Sequence, residues 1–249
     1  MFEGIETPWQ PLAALEFAVA EAVDNLLDVQ RVTSLDGLMF SRNDKLSRCS
    51  EPAVYAGRWV EIEEPVILDP LDIFLDKGTV LEPSAIVKGP AYIGKSCEIR
   101  QGAYLRGNIL IGDYCVLGHN TEIKNSILMN HTEAGHFNYI GDSILGSYCN
   151  LGAGTRLANL EFRSPENKRK IHFPPLKMVV EGEEIEIGRS KFGAVIGDYA
   201  EIGCNAVLSP AVLMGKESWV YPNYTVPKGY YPPQTRLVPA DRKIRPGNS

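Results

Sequence analysis

Four histidines occur in the chain, His119, His131, His136 and His172, and only His136 keeps company suited to chemistry. It sits in Ala-Gly-His-Phe-Asn-Tyr, where Gly135 permits a close backbone approach. In the repeat described below, Glu122 and Tyr139 close matching units one coil apart, so Glu122, His136 and Tyr139 are expected along one edge. A histidine beside a carboxylate is a competent general base near neutral pH. Arg106 and Lys124 lie one repeat apart and should stack. Two stacked like charges cost energy unless an anion sits between them, which points to a phosphate or carboxylate ligand; a solvated surface ladder is the equal alternative. Gly-Ala-Gly-Thr-Arg at residues 152–156 is glycine-rich but does not sit between a strand and a helix as a phosphate loop would. It reads as a turn whose free backbone N–H can stabilise an oxyanion. His119 reads as a turn residue, and His131 and His172 have no visible partner.

The element that must position these residues is a short repeat. From Ile93 the chain reads IGKSCE, IRQGAY, LRGNIL, IGDYCV, LGHNTE, IKNSIL, MNHTEA, then two five-residue units, GHFNY and IGDSI, then LGSYCN and LGAGTR. A fixed six-residue period with an aliphatic opener is the signature of a β-helix, three units to a triangular coil. Function is expected where the count slips, around His136. The fifth place of the unit takes Cys97, Cys115 and Cys149, or Ala85, Ala91 and Ala103, as a narrow interior requires. These thiols therefore read as small hydrophobes. The expected organisation is an N-terminal helix and cap over residues 1–78, a β-helix over 79–228 and a tail over 229–249. Residues 9–30 form the helix, packed on the base of the solenoid or on a neighbouring copy. Residues 158–187 interrupt the β-helix as an inserted hairpin loop protruding from one corner.

Hydrophobic residues at 44% and charged residues at 22% are those of an ordinary soluble protein. The net charge of -6 argues against nucleic acid as a partner. No membrane span and no secretory leader are recognisable. An odd number of cysteines without C-x-x-C suggests a reducing compartment, hence the cytoplasm.

Residues 117–159, with Ala-Gly-His-x-x-Tyr followed by Asn-Leu-Gly-Ala-Gly-Thr, resemble the acetyltransferase domain of the bifunctional N-acetylglucosamine-1-phosphate uridyltransferase and related sugar-1-phosphate nucleotidyltransferases. The likeness extends over roughly residues 80–228. It implies a mainly β fold, a left-handed parallel β-helix, assembled as a homotrimer with the site between subunits. It implies acetyl-CoA as co-substrate, an amino-sugar phosphate as acceptor and no metal. His136 would be the base, with Glu122 beside it and the Ala153 N–H as oxyanion donor. Arg106, Lys124 and Lys191 would grip the phosphate, and Tyr139, Asn150 and Asn159 the sugar. Ala153, Cys204 and Pro222 would line the coenzyme, and Arg236, Arg242 and Lys243 would meet its phosphates from a neighbour. The uridyltransferase domain of that family has no counterpart here, and Leu160 and Cys204 replace a family tyrosine and a small hydroxyl residue.

Two functions follow. One is an acetyl-CoA-dependent N-acetyltransferase of an amino-sugar 1-phosphate, with an O-acyltransferase as a weaker variant. The other is a non-catalytic module that binds sugar phosphates or assists assembly.

Overall fold

A computed structural model describes residues 4–41, 52–180 and 182–239 of the 249. It is a left-handed parallel β-helix whose three flat faces are sheets of ten, nine and nine short strands. We call them the first, second and third faces. In the central coils the chain visits the first face at Ile109–Ile111, the second at Val116–His119 and the third at Glu122–Lys124. Antiparallel pairs are confined to the N-terminal end and to the inserted hairpin. The aliphatic openers point inward and stack: Leu81, Ile99, Leu117, Ala134, Leu151, Ile202 and Val220 form one such column, each at most 3% exposed.

The small residues of the fifth place do more than fit. Cys97 Sγ donates to the Gly112 carbonyl at 3.1 Å and Cys115 Sγ to that of Met129 at 3.1 Å. Thr132 Oγ1 donates to Gly146 at 2.8 Å and Cys149 Sγ to Gly197 at 3.2 Å. Thiol and hydroxyl alternate in one role, capping a corner carbonyl of the following coil. Burial pushes the Cys149 thiol up to about 11. At an adjoining corner Tyr114, His131, Tyr148 and Tyr199 stack with ring centroids 4.9, 4.5 and 5.0 Å apart. His131, which has no evident partner in the sequence, is the second rung of this ladder.

The register corrects the placement of the short units. Tyr104 pairs with Glu122, 18 residues on, but Ile109 pairs with Ser126, Glu122 with Tyr139 and Glu133 with Asn150, each 17 on. The shortened units are therefore residues 123–127 and 140–144. GHFNY lies within a regular unit, and His136 pairs with His119 in an unbroken strand. The residue is lost at the corner between the third and first faces. There Asn125 and Asp142 each turn the chain with a positive φ, 47° and 49°. The hydroxyls of Ser126 and Ser143 then fold back on the carbonyls of Lys124 and Gly141, 2.8 Å each. In the preceding coil two left-handed residues, Gly107 and Asn108, make the same corner.

Helix α1, Pro11–Asp24, starts on a proline at its first turn and is rich in Ala, Leu and Glu. Leu12, Leu15, Val19 and Val23 recur every three or four residues and are buried. They pack on the outer side of the first face, against Ile67, Phe74 and Ile127. The helix thus covers a flank of the solenoid of its own chain, not its base. The insertion joins it there. A short helix α2, Pro165–Arg169, capped by Ser164, leads to a hairpin of Lys177–Val180 and Glu183–Glu186. Leu176, Met178, Ile187 and Phe192 bury themselves beside α1, with Trp9 and Phe192 rings 5.9 Å apart. Apolar side chains spaced for a flat surface carry the hairpin inward onto this face.

The solenoid also runs past residue 228. Gly229–Tyr231 and Arg236–Leu237 continue the first and second faces. Prolines hide the period there, although Tyr231 and Leu237 still fill interior positions.

Candidate active site

His136 is the last residue of the second-face strand Glu133–His136, just before the corner to the third face. Its backbone N–H donates to Asn138 Oδ1 at 3.1 Å. Asn138 is 2% exposed, and its Nδ2 donates to the Gly152 carbonyl at 2.8 Å, so this corner is locked from inside. The His136 carbonyl accepts from Gly154 N–H at 2.9 Å, and Arg156 Nη1 donates to the Phe137 carbonyl. The imidazole itself is exposed, and among the described residues nothing hydrogen-bonds to it.

The coil-to-coil hydrogen bonds extend this position into a column. Gly154 N–H on His136, Asn205 N–H on Ala153 and Asn223 N–H on Cys204, at 2.9, 2.8 and 2.8 Å, set His136, Ala153, Cys204 and Pro222 one above another. Successive coils stand about 4.8 Å apart. The Ala153 amide donates to no other backbone carbonyl among the described residues. Cys204 is the exposed thiol of the chain's described cysteines. Asn150 lies on the same face, its Nδ2 on Glu201 Oε2 at 2.9 Å. Arg236 stacks over the Trp219 ring at 4.0 Å and donates to the Glu217 carbonyl. Arg242 and Lys243 lie outside the described residues.

Around the corner, the third face carries the cations. Arg106 and Lys124 occupy one row, as the pairing of Leu105 with Ile123 requires. The adjacent row is Tyr104, Glu122 and Tyr139. Glu122 pairs in register with Tyr139, and its carboxylate accepts from Arg106 Nη1 at 2.7 Å; among the described residues no hydrogen bond joins it to the His136 ring. Glu122 thus neutralises Arg106, while among the described residues no ion pair reaches Lys124. The neighbour of His136 in register is His119, held by the Gln101 carbonyl at 2.9 Å and edge-on to Phe137.

Tyr139 turns back along its own strand over Gly141. A β-carbon on Gly141 would stand 2.6 Å from the Tyr139 hydroxyl and 2.8 Å from Asn159 Nδ2, so only glycine leaves room for both. Burial, then the carboxylates of Glu122 and Asp142, hold the Tyr139 hydroxyl above its ordinary range. Asn159 Nδ2 donates to Asp142 Oδ2 at 2.6 Å. Lys191 is exposed, directly before Phe192, whose N–H binds the Asn159 carbonyl at 3.0 Å. Sequence reasoning did not single out Asn138, Asp142 or Arg189; the signal for Asp142 was the second short unit, in which it stands.

These residues line open faces. A cavity of about 830 Å³ opens at the N-terminal end of the solenoid, lined by Arg58, Trp59, Glu61 and Glu64 among others, and none of the candidate residues borders it. Among the described residues no cluster of three His, Cys, Asp or Glu is arranged to hold a metal, and no helix is long and apolar enough to cross a membrane.

Residues 87–192 match a family model described as the GMPPB C-terminal domain. A bifunctional sugar-1-phosphate nucleotidylyltransferase/acetyltransferase of Sulfurisphaera tokodaii is 34% identical over 198 residues, covering 69% of this chain and 47% of that protein. The bifunctional protein GlmU of Methanococcus vannielii is 35% identical over 112 residues, 45% of this chain and 25% of that protein. The chain therefore spans about half the length, or less, of the relatives it matches. A mutant of GDP-perosamine N-acetyl transferase from Caulobacter crescentus, solved with CoA and GDP-perosamine, is 13% identical over 59% of this chain and 50% of that one, at a TM-score of 0.28. That score supports no functional comparison. The β-helix of this chain is thus similar, over the stretches matched, to sugar-1-phosphate nucleotidylyltransferase/acetyltransferases and GlmU proteins.

Proposed function

We propose that the chain is an acetyl-CoA-dependent N-acetyltransferase acting on an amino-sugar 1-phosphate. The observation that carries this is the column of His136, Ala153, Cys204 and Pro222, with Arg106, Lys124 and Tyr139 around one corner from it. In this reading the thioester of acetyl-CoA lies along the column. The acceptor nitrogen attacks the thioester carbonyl carbon, His136 takes the nitrogen's proton, and the Ala153 N–H steadies the oxyanion. The C–S bond then breaks, releasing the coenzyme thiolate and leaving an amide. Arg106, Lys124 and Lys191 hold the phosphate, while Tyr139, Asn150 and Asn159 contact the sugar. Since these groups stand on open faces, the site closes between copies of the chain in a homotrimer.

General-base assistance is worth about 10²–10⁴-fold. His136→Ala should therefore keep about 1% or less of wild-type thiol release from acetyl-CoA, tested across a panel of amino-sugar 1-phosphates, with its assembly unchanged. A fully active variant would refute the mechanism.

One observation favours the second reading, a non-catalytic sugar-phosphate-binding module. Among the described residues the His136 ring has no orienting partner, and the Glu122 carboxylate is hydrogen-bonded to Arg106. Thermal-shift titration separates the two, because a ligand that binds only the native state raises its stability. Stabilisation by sugar phosphate but by no acyl-CoA would favour the module.

A further inference from the structure

The two shortened corners bring together a group of buried polar side chains that the proposed mechanism does not use. Asp142 is 3% exposed. Its Oδ1 accepts from Asn125 Nδ2 at 2.7 Å and lies 3.5 Å from Arg189 Nη2. Its Oδ2 accepts from Asn159 Nδ2 at 2.6 Å. Burying a carboxylate is costly unless it is paired and hydrogen-bonded, and here every partner has a defined origin. Asn125 comes from the equivalent short corner one coil earlier. Asn159 is where the insertion leaves the solenoid. Arg189 is where it returns, its carbonyl accepting from Leu176 N–H at 2.7 Å. The other guanidinium nitrogen of Arg189, Nη1, is buried without a hydrogen-bond partner. Such a donor is expensive to keep, and it is tolerated beside an anion that needs the charge.

The chemistry of this group dictates an orientation. An ionised carboxylate only accepts, so Asn159 must turn its NH₂ towards Asp142. The same NH₂ shares with the Tyr139 hydroxyl the space over Gly141 and so turns a donor towards it. Two consequences follow. Asn159 Oδ1 is directed away from the carboxylate as an acceptor, and the Tyr139 hydroxyl proton is left to donate outward. A pair presenting one acceptor and one donor suits a sugar hydroxyl, which donates and accepts at once.

We propose that Asp142, with its charge balanced by Arg189, is a positioning and specificity-determining residue for the acceptor: it fixes the amide of Asn159 and the hydroxyl of Tyr139 in the polarity that recognises a ring hydroxyl. The proposal rests on the assignment of Tyr139 and Asn159 to the acceptor sugar. Asp142→Asn keeps the shape but supplies a donor of its own, so the Asn159 amide is free to flip. The inserted segment thereby acts on the site, since it carries Arg189.

The test compares wild type, Asp142→Asn, Asn159→Ala and the double variant for KM and kcat, using an amino-sugar 1-phosphate and its deoxy analogue lacking a ring hydroxyl. The expected result is a rise of about 10-fold or more in KM with kcat nearly unchanged, and a loss of discrimination against the deoxy analogue. The Asp142→Asn effect should vanish in the Asn159→Ala background, as coupled residues require. Should Asp142→Asn fail to fold, Arg189→Met, which strips the buried carboxylate of its balancing charge and so loosens its hold on the Asn159 amide, must show a rise in KM in the same direction. A folded Asp142→Asn protein with wild-type KM and discrimination overturns the proposal and leaves the acetyltransferase reading standing. A wild type that neither binds nor acetylates any amino-sugar phosphate overturns that reading and the proposal with it.

Discussion

Gly118 and Gly135 occupy equivalent positions on neighbouring coils, one residue before His119 and His136, and the same substitution at each should give opposite results. A β-carbon on Gly118 would stand 1.7 Å from the Gly135 carbonyl oxygen and 2.1 Å from its carbon, whereas one on Gly135 meets nothing within 4 Å. The obstacle to Gly118→Ala is backbone, so no rotamer change relieves it. The two strands must part by more than about 1 Å to restore contact distance, and overpacking of this kind costs about 1–3 kcal/mol. At roughly 2–4 °C per kcal/mol for a chain of this size, the melting temperature should fall by about 2–12 °C. The displaced strand is the one that ends in His136, and a shift of about 1 Å is enough to lower turnover by about 100-fold. Gly135→Ala should melt within about 2 °C of wild type and keep its activity. Thermal unfolding and thiol release on the two purified variants decide it. Equal behaviour of the pair, in either direction, would refute the reasoning, because composition alone cannot tell the two glycines apart.

Glu122→Gln releases Arg106 from its ion pair. Both side chains are about a third exposed, so stability should change by less than about 1 kcal/mol. The KM for a sugar phosphate should fall several-fold if Arg106 grips the phosphate, and an unchanged KM would detach Arg106 from that role. Leu15→Ala removes the centre of the α1 contact, where the side chain is fully buried, and should cost about 2–5 kcal/mol in denaturant unfolding; a loss under 1 kcal/mol would mean that α1 is not held there. Cys204 should react with a thiol reagent in the native state, while Cys97, Cys115 and Cys149 stay silent until the protein unfolds. The Cys149 thiol is raised from 9.0 to about 11 by burial, so the folded state keeps a proton that the unfolded chain has released. Its contribution is fully present below pH 9 and lost as pH rises from about 9 through 11, amounting to about 2–3 kcal/mol at most. Unfolding of wild type and Cys149→Ala at pH 8 and pH 11 should show the difference.

The solenoid was legible because its period is local: an aliphatic opener every six residues fixes which side chains turn inward, and nothing distant alters that. Stacking of Arg106 under Lys124 followed from the same count. The neighbour of each charge did not, because it depends on which way a long side chain leans between rows, and Arg106 leans to Glu122. The short units show the limit of counting. A lost residue in IKNSI or in GHFNY gives the same length, and only the positive φ of Asn125 and the serine behind it decide which corner closes early. Residues 9–30 displayed a helical stripe, yet the surface receiving it could not be read, since every face of a hexad prism offers the same aliphatic texture. Asp142 was hidden by its chemistry: an acid beside glycine at a turn looks solvated until Arg189 arrives from 47 positions further along.

A stack of coils is in principle a one-dimensional object, each layer answering only to the layers above and below, free to fray from either end. The cover on the first face removes that freedom. Helix α1 and the inserted hairpin share one apolar cluster with face residues from Ile67 to Ala211, so layers far apart in the stack are fastened to a common splint. Opening the terminal coils then strips the splint as well, and opening the middle cannot proceed without it. Unfolding should accordingly proceed as a single transition along this length, and the segment that looks like an interruption of the repeat is what makes the repeat behave as one body.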